Sequence, residues 1–145
     1  MNEYVALELQ DDAEWVLGFA TAVNGRFLLS TEAHKEFART ELKKARRLLY
    51  GADDSIGEVI GHIDAASRRG ISLGLAADYA DTLRELFSAM VSIVRLPVRQ
   101  YHNDEYLYHR HEAIRALAPL ALHYAEVIHS QIMSAIEADS SQESE

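Results

Sequence analysis

Apolar residues recur every three or four positions along most of this chain, the spacing that gathers side chains on one face of an α-helix. The longest such run covers 72–96. Leu75, Tyr79, Leu83, Leu86, Phe87, Met90, Val91 and Val94 form a broad apolar face, and Asp78, Asp81, Glu85, Ser88, Ser92 and Arg95 form a narrow polar stripe. A helix with so little polar surface is expected to sit centrally, covered by its neighbours. Ser72 as N-cap, acids in the early turns, Arg95 in the last turn and Pro97 beyond it agree with those ends.

The same reading assigns four further helices. Asp11 or Asp12 can cap the first, 12–29, in which Trp15, Val16, Phe19, Val23 and Phe27 share a face. Residues 1–10 alternate weakly and are left open. Asn24-Gly25 is a hairpin-type dipeptide, but alternation around it is poor, so a helix with a break there is preferred. Ser30-Thr31 caps a helix over 31–50 with Ala38, Leu42, Ala45, Leu48 and Leu49 as its stripe and Gly51 as its stop. Ile56, Val59, Ile60, Ile63 and Ala66 then define 54–69, ended by Arg68, Arg69 and Gly70. The last helix, 104–137, is expected to kink or divide at Pro119. Short links favour antiparallel neighbours, so the expected fold is all-α: one up-and-down bundle of about five helices over 1–138, with 139–145 as a disordered acidic tail.

Composition narrows the functional classes. With 145 residues, 48% apolar and 26% charged, the chain suits one globular domain. It has no cysteine, which excludes disulfides and thiolate metal sites and is consistent with a reducing cytoplasm. The acidic N-terminal stretch does not resemble a secretory signal, and no apolar run is long enough to span a membrane, so a soluble cytoplasmic protein without membrane contact is expected. The net charge of −9 opposes general binding to nucleic-acid phosphates.

Five of the seven histidines fall between His102 and His129, and Glu126-Val-Ile-His129 has the Glu-x-x-His spacing of carboxylate-bridged metal bundles. No second copy exists, and the nearest approach is Glu58 and His62, one turn apart. His123 and Glu126 lie opposite the apolar seam, so a solvated face accounts for them and no metal is assigned. Phosphate-binding loops, nucleophile elbows and His-Glu-x-x-His runs are absent, and no cofactor is assigned. Gly57, Gly61 and Gly74 suggest close packing.

Two basic groups remain. Lys35, Arg39, Lys43, Arg46 and Arg47 lie along one line of the second helix, in a segment that carries +4 locally. They suit an acidic partner or RNA, although the interleaved Glu32, Glu36 and Glu41 make intrahelical ion pairs on a solvated face the commoner explanation. The junction after the 72–96 helix collects Arg95, Arg99, Tyr101 and His102, and an arginine that holds a phosphate beside a histidine that moves a proton can cleave RNA without metal.

With six residues between them, Arg95 and His102 match the longest Arg-to-His spacing of the HEPN superfamily, which this segment resembles. That family consists of small all-helical proteins, often dimeric and frequently ribonucleases of defence or toxin systems. The resemblance implies Arg95 and His102 in the catalytic roles, with Arg99 or the basic line guiding RNA. Helix-end chemistry accounts for the same residues: Arg95 closing one helix, His102, Asn103 and Asp104 opening the next. The leading expectation is therefore a non-catalytic protein that regulates, inhibits or scaffolds a protein partner and self-associates, because the long helices carry more apolar arc than their neighbours obviously cover. The alternative is a HEPN-like ribonuclease or its inactive relative.

Overall fold

The computed structural model describes residues 1–27, 42–96 and 104–143, apart from the side chains of 26–27, 42–45, 104, 107–108 and 141–143. Four helices account for nearly all of them: α1 (Glu3–Phe27), α2 (Leu42–Arg68), α3 (Ala76–Arg95) and α4 (Asp104–Glu143). No strand occurs among the described residues.

Cross-helix contacts set the directions. Asp12 meets His62 while Phe19 meets Gly51, so α1 and α2 run antiparallel. Asp53 meets Ser88 while Arg46 meets Val94, which reverses α3 against α2. Arg110 meets Ile93 while Tyr124 stacks near Tyr79, which reverses α4 against α3. Since α1 also packs on α4, the four helices close into an up-down-up-down square.

Each helix gives this square one stripe at steps of three or four. The α2 stripe is Leu49, Ala52, Ile56, Val59, Ile63 and Ala66, and the α4 stripe is Ile114, Ala118, Ala121, Ala125, Ile128 and Ile132. On α1 the buried line is Val5, Leu9, Ala13, Val16, Ala20 and Val23. Alanine at so many core positions lets the axes approach closely around the larger Phe87, Leu83 and Met90 of α3.

Several expectations are corrected. α3 is one corner of the square and not a central helix; Asp81, Glu85, Ala89 and Ser92 face outward, and Leu75 is exposed. It starts at Ala76 with Leu75 in the cap position and no side-chain cap, so Ser72 does not cap it. The separate helices expected to end at Gly51 and restart at Asp54 are one: α2 passes through Gly51 because its stripe never loses phase between Leu49 and Ile56. Residues 28–41, where the start of the 31–50 helix was expected, lie outside the described residues.

α1 begins at Glu3 and not near Asp12, with Asn2 as its cap: Val5 N–H donates to Asn2 Oδ1 at 2.8 Å. It continues through Asn24-Gly25 to Phe27 without break or hairpin. Pro119 neither divides nor ends α4; it is exposed, on the outer face where water can serve the carbonyl that loses its partner. α4 also runs on to Glu143 through most of the expected tail, and the backbone nitrogen of Met1 lies 2.6 Å from Asp139 Oδ2.

The stop at Gly70 is as expected, and its hydrogen bonds show why. With φ at +83°, Gly70 donates to Ser67 O at 3.0 Å while Ile71 donates to Ala66 O at 3.1 Å, a Schellman closure that needs a left-handed residue.

Candidate functional site

Of the basic residues singled out from sequence, Arg46, Arg47 and Arg95 are described, and they lie at the end of the bundle where α2 begins, α3 ends and α4 begins. Arg46 does not lie on a solvated basic line. Its Nε donates to Val94 O at 2.7 Å, at the C-terminus of α3. Arg95 is exposed and its guanidinium stands 5.2 Å over the Tyr50 ring, so it joins α3 to α2 by cation–π contact. Arg47 is exposed on α2. Lys35, Arg39, Arg99 and His102 lie outside the described residues, as does the side chain of Lys43; the expected pairing of Arg95 with His102 falls there too.

The residue that organises this end was missed. Arg110 is buried at 8% exposure, donates from Nε to Ile93 O (3.1 Å) and from Nη2 to Val94 O (2.7 Å), and shares Val94 O with Arg46. Burial, with Arg46 close by, lowers its pKa against a smaller opposing effect of Tyr106. Arg46 Nε and Arg110 Nε and Nη2 donate to carbonyls at the negative end of α3, which suits a structural clamp, while Arg110 Nη1 is buried without a hydrogen-bond partner among the described residues. Arg110 lies one turn before Ile114, so its place on the buried seam was visible in the spacing.

A second cluster joins α1 to α2. His62 Nδ1 lies 2.7 Å from Asp12 Oδ2, and His62 Nε2 lies 3.1 Å from Glu8 Oε1. Desolvation opposes charge on the imidazole, but the hydrogen bond and charge of Asp12, with Glu8 and Glu58, outweigh it and raise His62 above its ordinary 6.5. Desolvation also raises the Asp12 carboxyl above its ordinary 3.8, against the pull of His62. Carboxylates on both ring nitrogens could orient a general base, yet no group of three His, Asp or Glu side chains among the described residues is arranged to hold a metal. The sequence paired His62 with Glu58; its hydrogen-bond partner is on the neighbouring helix. A buried acid requires a partner, so Asp12 on the α1 core stripe was the available signal.

The third feature is apolar. Tyr4, Leu7 and Trp15 are 76%, 54% and 48% exposed and fall on one outward line of α1. Trp15 was expected in the core; it turns outward, its ring 5.4 Å from that of Phe19, while Phe19 leans over Gly51. Among the described residues the other large exposed apolar side chains are Leu75 and Leu96 beside the ends of α3 and Leu120 on α4. The large exposed apolar side chains of the described residues thus group on α1, whereas the long helices expected to carry an uncovered arc show Leu120 and the end residues Leu75 and Leu96. His123 and Glu126 are exposed, on the solvated face where the sequence put them.

No helix among the described residues is long and apolar enough to cross a membrane. Comparison with family models, with curated proteins and with solved structures finds no match for this chain.

Proposed function

We propose that this chain is a non-catalytic interaction protein that regulates, inhibits or scaffolds a protein partner through the outward face of α1. The observation that carries this reading is the line of Tyr4, Leu7 and Trp15, exposed on the helix whose opposite face fills the core. Single exposed apolar residues are ordinary, but aromatic residues grouped on one exposed face mark contact surfaces, because they bury much area at small entropic cost. The polar clusters favour the same reading: Arg46 and Arg110 are committed to Val94 O, and His62 to the carboxylates of α1.

The test replaces the face without touching the core. A tagged chain and its Leu7→Arg variant, expressed in the source cell and chemically cross-linked, are compared by size. The native chain is expected in a complex well above its own 16.3 kDa and the variant outside it. Equal sizes for the two, or metal-independent cleavage of single-stranded RNA by the purified chain, overturn the reading; the second result would restore the ribonuclease alternative.

A further inference from the structure

The outward face of α1 is large at one end and small at the other. Its first half carries Tyr4, Leu7 and Trp15, and its second half carries Gly18, Ala22 and Gly25, all exposed. A side chain built on Gly18 or Gly25 would have nothing within 4 Å, and neither residue has a positive φ. Among the described residues nothing therefore calls for glycine there, although glycine weakens a helix interior. Close approach of a backbone from outside calls for it. Gly57 and Gly61 of α2 are equally open, but no described residue of α2 exposes a large apolar side chain, so among the described residues α1 holds both halves of a self-complementary surface.

The positions are symmetric about a point between Glu14 and Trp15. We infer that two copies of this chain pair α1 against α1 in antiparallel fashion about a two-fold axis at that point, with Tyr4 and Leu7 each seated over a small residue and Trp15 beside the axis. Tyr4 then lies level with the partner subunit's Gly25, Leu7 with the partner subunit's Ala22, and Asp11 with the partner subunit's Gly18. An isologous interface requires this self-complementarity. The seam from Tyr4 to Gly25 is about 32 Å long at 1.5 Å per residue. The exposed surface of Tyr4, Leu7 and Trp15 is on the order of 400 Å², about half of the roughly 800 Å² per partner in a standard interface. This inference rests on the reading of the α1 face as a docking surface and names its occupant.

Because the chain has no native cysteine, introduced ones report the register directly. With a short bismaleimide, Glu14→Cys alone should give a covalent dimer. Leu7→Cys alone and Ala22→Cys alone should not, since equivalent positions stand about 22 Å apart along the axis, but an equimolar mixture of the two should. Gly18→Leu, which fills the seat and favours the helix, should weaken association at least tenfold in sedimentation while the chain stays folded. Like charges at Asp11 and Glu14 should make the pairing tighten with added salt, whereas docking of a basic partner would loosen. Strict monomer behaviour, cross-linking of Leu7→Cys to itself, or unchanged association of Gly18→Leu overturns the pairing. A monomer whose Leu7→Arg variant still leaves a larger cellular complex would keep the docking face and remove only this inference.

Discussion

His62 on α2 and Asp12 on α1 are joined by a 2.7 Å hydrogen bond across the helix pair, and Glu8 meets the other ring nitrogen at 3.1 Å. The protonated imidazole thus ties α1 to α2 through two carboxylates. Because His62 is raised above 6.5 on folding, its contribution is complete below that pH and is lost as pH rises through the folded value. Asp12, raised above 3.8, has the same sign: folding favours its protonated form, and that contribution fades as pH rises just above 3.8. Unfolding by urea should show native stability falling as pH rises above 6.5, with a flatter profile for His62→Gln over the same range. A native-minus-variant difference that is constant over that range would refute the linkage.

Gly74 should tolerate alanine worst among the glycines. Its φ is +61°, and a Cβ there would collide with Gln131 Oε1, the acceptor of the Leu75 N–H at the start of α3. Gly70 also has a positive φ but open space around it. Gly70→Ala should cost about 1–2 kcal/mol from the backbone alone, and Gly74→Ala more. Adding Gln131→Ala should recover only the collision, so a double-mutant cycle with no coupling would contradict the geometry.

Gly61 offers the opposite case. It lies within α2, away from positive φ, with nothing within 4 Å of an added Cβ. Gly61→Ala should stabilise the chain by about 0.5–1 kcal/mol in thermal unfolding. The close packing expected at Gly57 and Gly61 from sequence is absent; only Gly74 of the three is closely approached. A loss of stability in Gly61→Ala would mean a contact that the structure does not contain.

Arg110→Ala should destabilise the bundle more than Arg46→Ala. Removing Arg110 takes the side-chain donor from Ile93 O and empties a buried position, whereas removing Arg46 leaves no carbonyl unserved, because Val94 O keeps Arg110. The expected cost at Arg110 is about 2–3 kcal/mol by denaturant unfolding. Equal losses at the two sites would show that the clamp does not depend on Arg110.

The periodicity of apolar residues was sufficient for the helical class and for most of each buried stripe, because a helix facing a core needs a side chain every three or four residues, and the short link at Gly70, unlike the one expected after Gly51, does join antiparallel neighbours. It also marked the stop at Gly70, where a local hydrogen-bond pattern needs a left-handed residue. The unbroken α2 was legible as well, since the step from Leu49 through Ala52 to Ile56 keeps phase, but Gly51 and the acids after it are local stop signals that tertiary packing outweighed. Residues at the margins of the stripes were not decidable from one helix at a time. Whether Trp15 points in or out depends on how far α2 reaches around α1, whether His62 bonds to Glu58 or Asp12 depends on the register of two helices, and whether Arg46 is solvated depends on where α3 ends. Helical spacing determines which residues share a face; only the packed bundle decides which faces meet and leaves Tyr4, Leu7 and Trp15 uncovered.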